Sequence, residues 1–153
     1  MKKLTTFFLV LLAVACSKDD TGDFTKTDLI IGTWTERGVG AVLNDGTTQF
    51  SEYDYFCVTK GRFSFMEDGS FRVETFDGPN HDCFSTGVLT GSWENQGESY
   101  FLKIITDTSD TPETGEEANV NIVFPDSNTM HWIFENESEE VDYSFDEYAR
   151  VKE

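Results

Sequence analysis

The run GRFSFMEDGSFRVETF, residues 61 to 76, decides the fold. Phe63 and Phe65 alternate with Ser64 before Asp68-Gly69, and Phe71, Val73 and Thr75 alternate with Arg72 and Glu74 after it. Side chains of a strand point alternately to its two faces, and Asp-Gly supplies the positive φ that a tight antiparallel turn requires. The run therefore reads as a β-hairpin with one aromatic face. Outward from it the same pattern recurs at Asn44-Asp45-Gly46, Asn95-Gln96-Gly97 and Asp126-Ser127-Asn128, between alternations such as Val120/Ile122/Phe124 and Met130/Trp132/Phe134. No window from Gly32 onward sustains a helical period over ten residues, so the sequence predicts an all-β fold.

Eight or nine strands are expected, near 33–43, 50–59, 61–66, 70–76, 86–94, 99–106, 118–124, 129–135 and 140–150. The last places Val141, Tyr143 and Phe145 on one face and Asp142, Ser144 and Asp146 on the other, the pattern of a half-buried strand. The one helical prospect is a single turn at Thr27-Asp28-Leu29-Ile30, capped by Thr27 or Asp28. Successive antiparallel hairpins at this density close most economically as an up-and-down β-barrel, with a two-sheet β-sandwich as the alternative.

At 153 residues the chain has room for one domain. It carries 11 Lys+Arg against 29 Asp+Glu, a formal net charge of -18, which repels phosphate backbones and excludes non-specific nucleic-acid binding. Hydrophobic content of 38% with 14 Phe, 5 Tyr and 3 Trp is too apolar for a disordered acidic tail.

Three segments are expected: a signal peptide over residues 1–15, a lipidated flexible tether over 16–27 and the barrel over 28–153. Lys2 and Lys3 followed by the apolar run Phe7 to Val14 form a secretory signal, too short to span a bilayer permanently. Its end, Ala13-Val14-Ala15-Cys16, resembles the lipobox of bacterial lipoproteins, which implies that Cys16 carries the acyl chains. Ser17-Lys18-Asp19-Asp20 resembles the surface-export signal of some Gram-negative lipoproteins. The implied location is the outer membrane, anchored through lipid and facing the cell surface, with a periplasm-facing anchor as the alternative. Cys57 and Cys83 remain as an even pair in an oxidising compartment, where a disulfide is the simplest account and two free thiols the alternative.

Carriers of chemistry are scarce. His81 lies in the loop before Cys83, where it reads as solvated, and His131 alternates with Met130 and Trp132 and is expected to face water. The acids show no pair set apart for glycoside hydrolysis. The stretch DTSDTPETGEE, 107 to 117, is rich in oxygen ligands, but its spacing matches no EF-hand and it reads as a solvated loop. No enzyme, metal or cofactor is expected.

Gly32-Thr33-Trp34 opening the first strand resembles the start of a lipocalin. The whole run from Leu29 to Glu153 resembles the bacterial lipocalin-like domain of secreted lipoproteins: IGTW, Cys57, the FSFMEDGSF hairpin, Cys83, LTGSWE, FLKII, the IVFPDSNTMHW hairpin, and a closing strand with Tyr148 and Arg150. That resemblance implies Trp34 across the closed end of a barrel with Arg150 stacked on it. An inward aromatic face, including Val73 and Ile104, would offer Trp34, Phe63, Phe65, Phe71, Trp93, Leu102, Trp132 and Phe134 to a small apolar or amphipathic ligand. The alternative is a solid-core module on the envelope surface that meets a protein partner. Interior volume separates the two: a cavity of roughly 300 Å³ or more favours a ligand.

Overall fold

The computed structural model describes residues 27–79, 81–109, 112–134 and 139–152; Cys16 and the expected signal and most of the tether lie outside them. Nine strands follow in chain order: β1 (Gly32–Leu43), β2 (Thr48–Glu52), β3 (Arg62–Phe65), β4 (Ser70–Asp77), β5 (Phe84–Asn95), β6 (Tyr100–Asp107), β7 (Glu117–Asp126), β8 (Thr129–Phe134) and β9 (Val141–Arg150). Every neighbouring pair is antiparallel, and β1 pairs with β9, so the sheet closes into a ring. Strand β1 is shared. Its start, Gly32 to Trp34, pairs with β3, while Gly38 to Val42 pairs with the hairpin partner β2. The barrel wall is thus eight strands, β1 and β3 to β9, with β2 flanking the upper half of β1.

The deciding hairpin forms as read. Phe63 faces Val73 and Phe65 faces Phe71 across it. Asp68 accepts hydrogen bonds from the backbone N–H of Ser70 at 2.9 Å and its hydroxyl at 2.6 Å, and Gly69 takes φ +79°. Two expectations at the edges do not hold. The strand expected over 50–59 ends at Glu52, and Val58–Lys60 form a single 3-10 turn that leads into β3. The chain at Thr27 to Ile30 is a turn and not a helix, with the Asp28 carboxylate accepting the Ile30 N–H at 3.1 Å.

One end of the ring is closed. Ile30, Trp34, Phe65, Tyr100, Met130 and Tyr148 belong to a single buried cluster with Phe71, Leu102 and Ile122, and Trp34 is fully buried. All these residues lie between positions 30 and 148, so the barrel carries its own core. The Trp34 indole N–H donates to the Ile30 carbonyl at 2.8 Å. The Arg150 guanidinium lies 4.1 Å over the Trp34 ring and donates to the carbonyls of Leu29 (2.6 Å), Ile31 (2.6 Å) and Ser127 (2.7 Å). One planar fork therefore ties the entry turn and the β7–β8 turn to the closing strand. Tyr100 donates to Asp28 at 2.8 Å from the same side.

The opposite end holds the β1–β2, β4–β5, β6–β7 and β8–β9 connections. Cys57 and Cys83 form a disulfide that joins the β2–β3 connection to the start of β5. Tyr55 donates to Asp77 and to the Gly78 carbonyl and reinforces the same junction.

Strand β9 corrects one reading of the sequence. Its apolar set was expected on the buried face. Register places Tyr148 opposite Met130 and Asp146 opposite Trp132, so Asp146 and Ser144 point inward with the core. Phe145 instead pairs with Ile133 on the outer face, where it is fully buried. His131, expected to face water, is only 8% exposed there, stacked on Phe145 at 3.8 Å with Nε2 3.1 Å from Glu147.

Candidate functional site

A cavity of about 370 Å³ opens inside the ring above the closed-end core. Its walls follow from register. Phe63 lies opposite Val73, Val73 opposite Leu89, Leu102 opposite Ala118, and Ile122 opposite Trp132, so one apolar belt runs round the inner face. Phe63, Phe71, Val73, Leu89, Leu102, Ile104, Ala118, Val120 and Trp132 line the space. Gly91 makes the belt possible on β5, since a Cβ there would collide with the Phe71 ring that crosses it.

The opening lies toward the β6–β7 connection. The β6–β7 ladder runs only from Tyr100↔Val120 to Lys103↔Glu117, while β6 continues along β5 as far as Asp107. Glu113, Glu116 and Glu117 form the rim. A smaller recess of about 200 Å³ shares Val73, Thr75, Leu89 and Glu113 with the main space and adds Gly87, Asp107 and Ser109. Asp107 shapes this mouth: one carboxylate oxygen accepts the Ser109 N–H at 2.8 Å and the other the Glu113 N–H at 2.9 Å. Those backbone hydrogen bonds hold its carboxyl below the usual aspartate range. In the acid-rich stretch 107–117 this acid orders the loop, and among the described residues no group of three or more His, Cys, Asp or Glu is arranged to hold a metal ion.

Of the residues expected to meet a ligand, Phe63, Phe71, Leu102 and Trp132 line the cavity, as do Val73 and Ile104 of the inward face. Trp34, Phe65 and Trp93 do not line it. Trp34 and Phe65 are buried in the closed-end cluster, and Trp93 packs against that cluster with its indole N–H on the Met66 carbonyl at 3.1 Å. Phe134 is 44% exposed near the open end and is also no part of the lining. Sequence reasoning left out Leu89, Ala118 and the glutamates of the rim. Their signal was present, since residues 118, 120, 122 and 124 share one parity in β7, and Leu89 shares that of Gly91 and Trp93 in β5. His81 sits in its loop as expected, exposed, with its ring edge-on to Phe56 at a centroid separation of 4.4 Å.

A polar group lies beside the apolar belt. Tyr148 packs on Phe63 at 4.9 Å and on Trp132 at 6.3 Å, with Glu36, Tyr53 and Asp146 nearby. Burial pushes the Glu36 carboxyl up, against the hydrogen bond from Tyr53 that pulls it down, and burial raises Asp146 as well. Tyr53 is pushed up to about 12, first by burial and then by the charges of Glu36 and Asp146. A carboxyl whose folded value is raised favours folding in its protonated form, and this support is lost as pH rises through that value. Asp146→Asn is therefore expected to stabilise the barrel at pH 7, by a few tenths of a kcal/mol because the site is partly solvated. Urea melts of both proteins at pH 7 and pH 3.5 check this: the gain should vanish at the lower pH, and a loss at pH 7 would contradict it.

No protein-family model and no curated protein matches the sequence. Two solved structures resemble the fold. One is a lipocalin-like protein from Bacteroides uniformis, 13% identical, with a TM-score of 0.47 over 81% of this chain and 100% of its own. The other is an uncharacterized protein from Bacteroides eggerthii, 12% identical, with a TM-score of 0.47 over 79% of this chain and 98% of its own.

Proposed function

We propose that this protein is a non-catalytic binding barrel that takes a small apolar or amphipathic molecule into its interior. In this reading it is held at the bacterial outer membrane through lipid on Cys16 and faces the cell surface. The observation that carries the binding reading is the cavity of about 370 Å³, lined mainly by apolar side chains below an acidic rim and open at one end. Ligand pockets begin at roughly 300 Å³, and a barrel built as a solid interaction module would have filled this space with side chains. Burial of an apolar body in it gains ~25 cal/mol per Å² removed from water, which supplies affinity without any catalytic group.

Native mass spectrometry on residues 22–153, purified without detergent, tests the reading. A reproducible extra mass released by organic solvent supports it. Titration with the neutral fluorophore N-phenyl-1-naphthylamine, whose naphthyl ring fits the cavity and whose phenyl ring is left at the mouth, locates the binding. Val120→Trp, which fills the cavity, should weaken that probe by at least about tenfold, or ~1.4 kcal/mol. Val123→Trp, three residues on and facing out, should leave it unchanged. A probe that binds both variants and the parent alike sits elsewhere, and the cavity reading then fails. Labelling of intact cells with radioactive palmitate, lost in Cys16→Ser, tests the anchor.

A further inference from the structure

We propose that the cavity selects amphiphiles with a cationic end, a protonated amine or quaternary ammonium, and rejects those with a carboxylate or phosphate head. This rests on the reading that the cavity binds a ligand at all. At ~30 Å³ per non-hydrogen atom the space holds an apolar body of roughly twelve such atoms. A chain of about ten carbons nearly fills this space and leaves its polar end at the mouth, where water still reaches it. Among the described residues that mouth is lined by carboxylates and by no lysine or arginine.

Of the rim acids, Glu117 is matched by Lys103 at 2.6 Å. Glu113 and Glu116 have no ion pair among the described residues, and Asp107 is engaged by the Ser109 and Glu113 backbone amides and the Ser109 side chain. The connections around the same end add Asp77, Asp82 and Glu139 against Lys60, on a chain of net charge -18. A low-dielectric cavity with one sign of charge at its entrance focuses that potential on an entering head group. An anionic head would stop beside unpaired carboxylates and lose hydration without gaining a partner. An ammonium head gains two free carboxylates at that depth.

The test compares three ligands of one chain length, decylamine, decan-1-ol and decanoate, below their micelle concentrations at pH 7. Each displaces N-phenyl-1-naphthylamine from residues 22–153. Decylamine should bind about tenfold tighter than decanoate, with decanol between them. Raising NaCl from about 20 to about 500 mM should shrink the gap, because the screening length falls from roughly 20 to roughly 4 Å over that range. Glu113→Gln with Glu116→Gln should bring the two charged ligands within about threefold and shift decanol less than either of them. If decanol binds while decanoate equals or exceeds decylamine, charge selection is overturned and the cavity reading stands. A gap that survives the double variant overturns the assignment to this rim. If none of the three binds, the cavity reading itself fails and this inference with it.

Discussion

Trp34→Ala should cost the barrel about 3–5 kcal/mol, the range for deleting a large aromatic from a core that cannot collapse around the hole. Trp34 is fully buried, lies 5.9 Å from the Phe124 ring, and donates its indole N–H to Ile30. It is also the platform for Arg150. Removing the ring leaves the guanidinium without its stacking surface and the Ile30 carbonyl without its donor, so part of the cost is a lost hydrogen bond on top of the cavity. For a domain of this size the loss corresponds to a Tm lowered by roughly 10–20 °C. Arg150→Lys gives the complementary result. Lysine keeps the charge and loses the planar fork that reaches Leu29, Ile31 and Ser127 together, so it should behave closer to Arg150→Ala than to the parent. Urea melts followed by far-ultraviolet circular dichroism measure both. A Trp34→Ala cost below about 1 kcal/mol would mean that the entry turn is held by Tyr100 and Asp28 and not by the tryptophan.

Local chemistry made the wall of the barrel readable. Asp68-Gly69 between two aromatic alternations, and three further turns of the same kind, require antiparallel hairpins whatever the tertiary context. Where two strands meet at a distance, the same alternation has two solutions. On β9 the apolar face is Val141, Tyr143 and Phe145, and pattern alone turns it inward. Pairing with β8 puts Tyr148 in the core opposite Met130, and a period of two then carries Asp146 and Ser144 to the interior. On β1, a bulge at Arg37 between the pairs of Glu36 and Gly38 changes which parity faces in, and no local signal marks it. His131 differs: its outward parity is the one the pattern reads, but Phe145 and Glu147 from β9 cover it. The cavity was the least legible feature. Aromatic strands fill a core or line a pocket equally well, and what separates Phe65 and Trp93, packed at the closed end, from Phe63, on the cavity wall, is height along the barrel axis, while Phe71, paired with Phe65, belongs to both the core and the cavity floor. The rim glutamates looked like part of a solvated loop because the sequence does not say where that loop lies.

Loss of the Cys57–Cys83 bond is the second large effect. The two cysteines are 26 positions apart, and in the chain-entropy account closing such a loop in the unfolded chain is worth about 3.5 kcal/mol. The place of the bond decides which part of the barrel suffers. The connection from Tyr53 to Gly61 carries no strand, β3 is only four residues long, and β1 offers it just the three pairs from Gly32 to Trp34. Beyond the disulfide this stretch is tied to the β4–β5 turn chiefly by Tyr55, which donates to Asp77 and Gly78. Cys57→Ser with Cys83→Ser should therefore lower stability by about 3 kcal/mol, and a reductant should lower the parent protein to the level of the double variant. Hydrogen exchange should localise the loss, with the amides of Val58, Lys60 and Gly61 losing protection well before those of Leu102 or Tyr148 at the core. The cavity walls on β4 and β5 are held by eight register pairs that do not involve either cysteine. N-phenyl-1-naphthylamine should accordingly bind the double variant with unchanged affinity at temperatures where it stays folded. A variant that is folded and yet no longer binds the probe would show that the bond also sets the shape of the cavity, because β4 reaches Val73 and Thr75 from the same turn that Cys83 anchors.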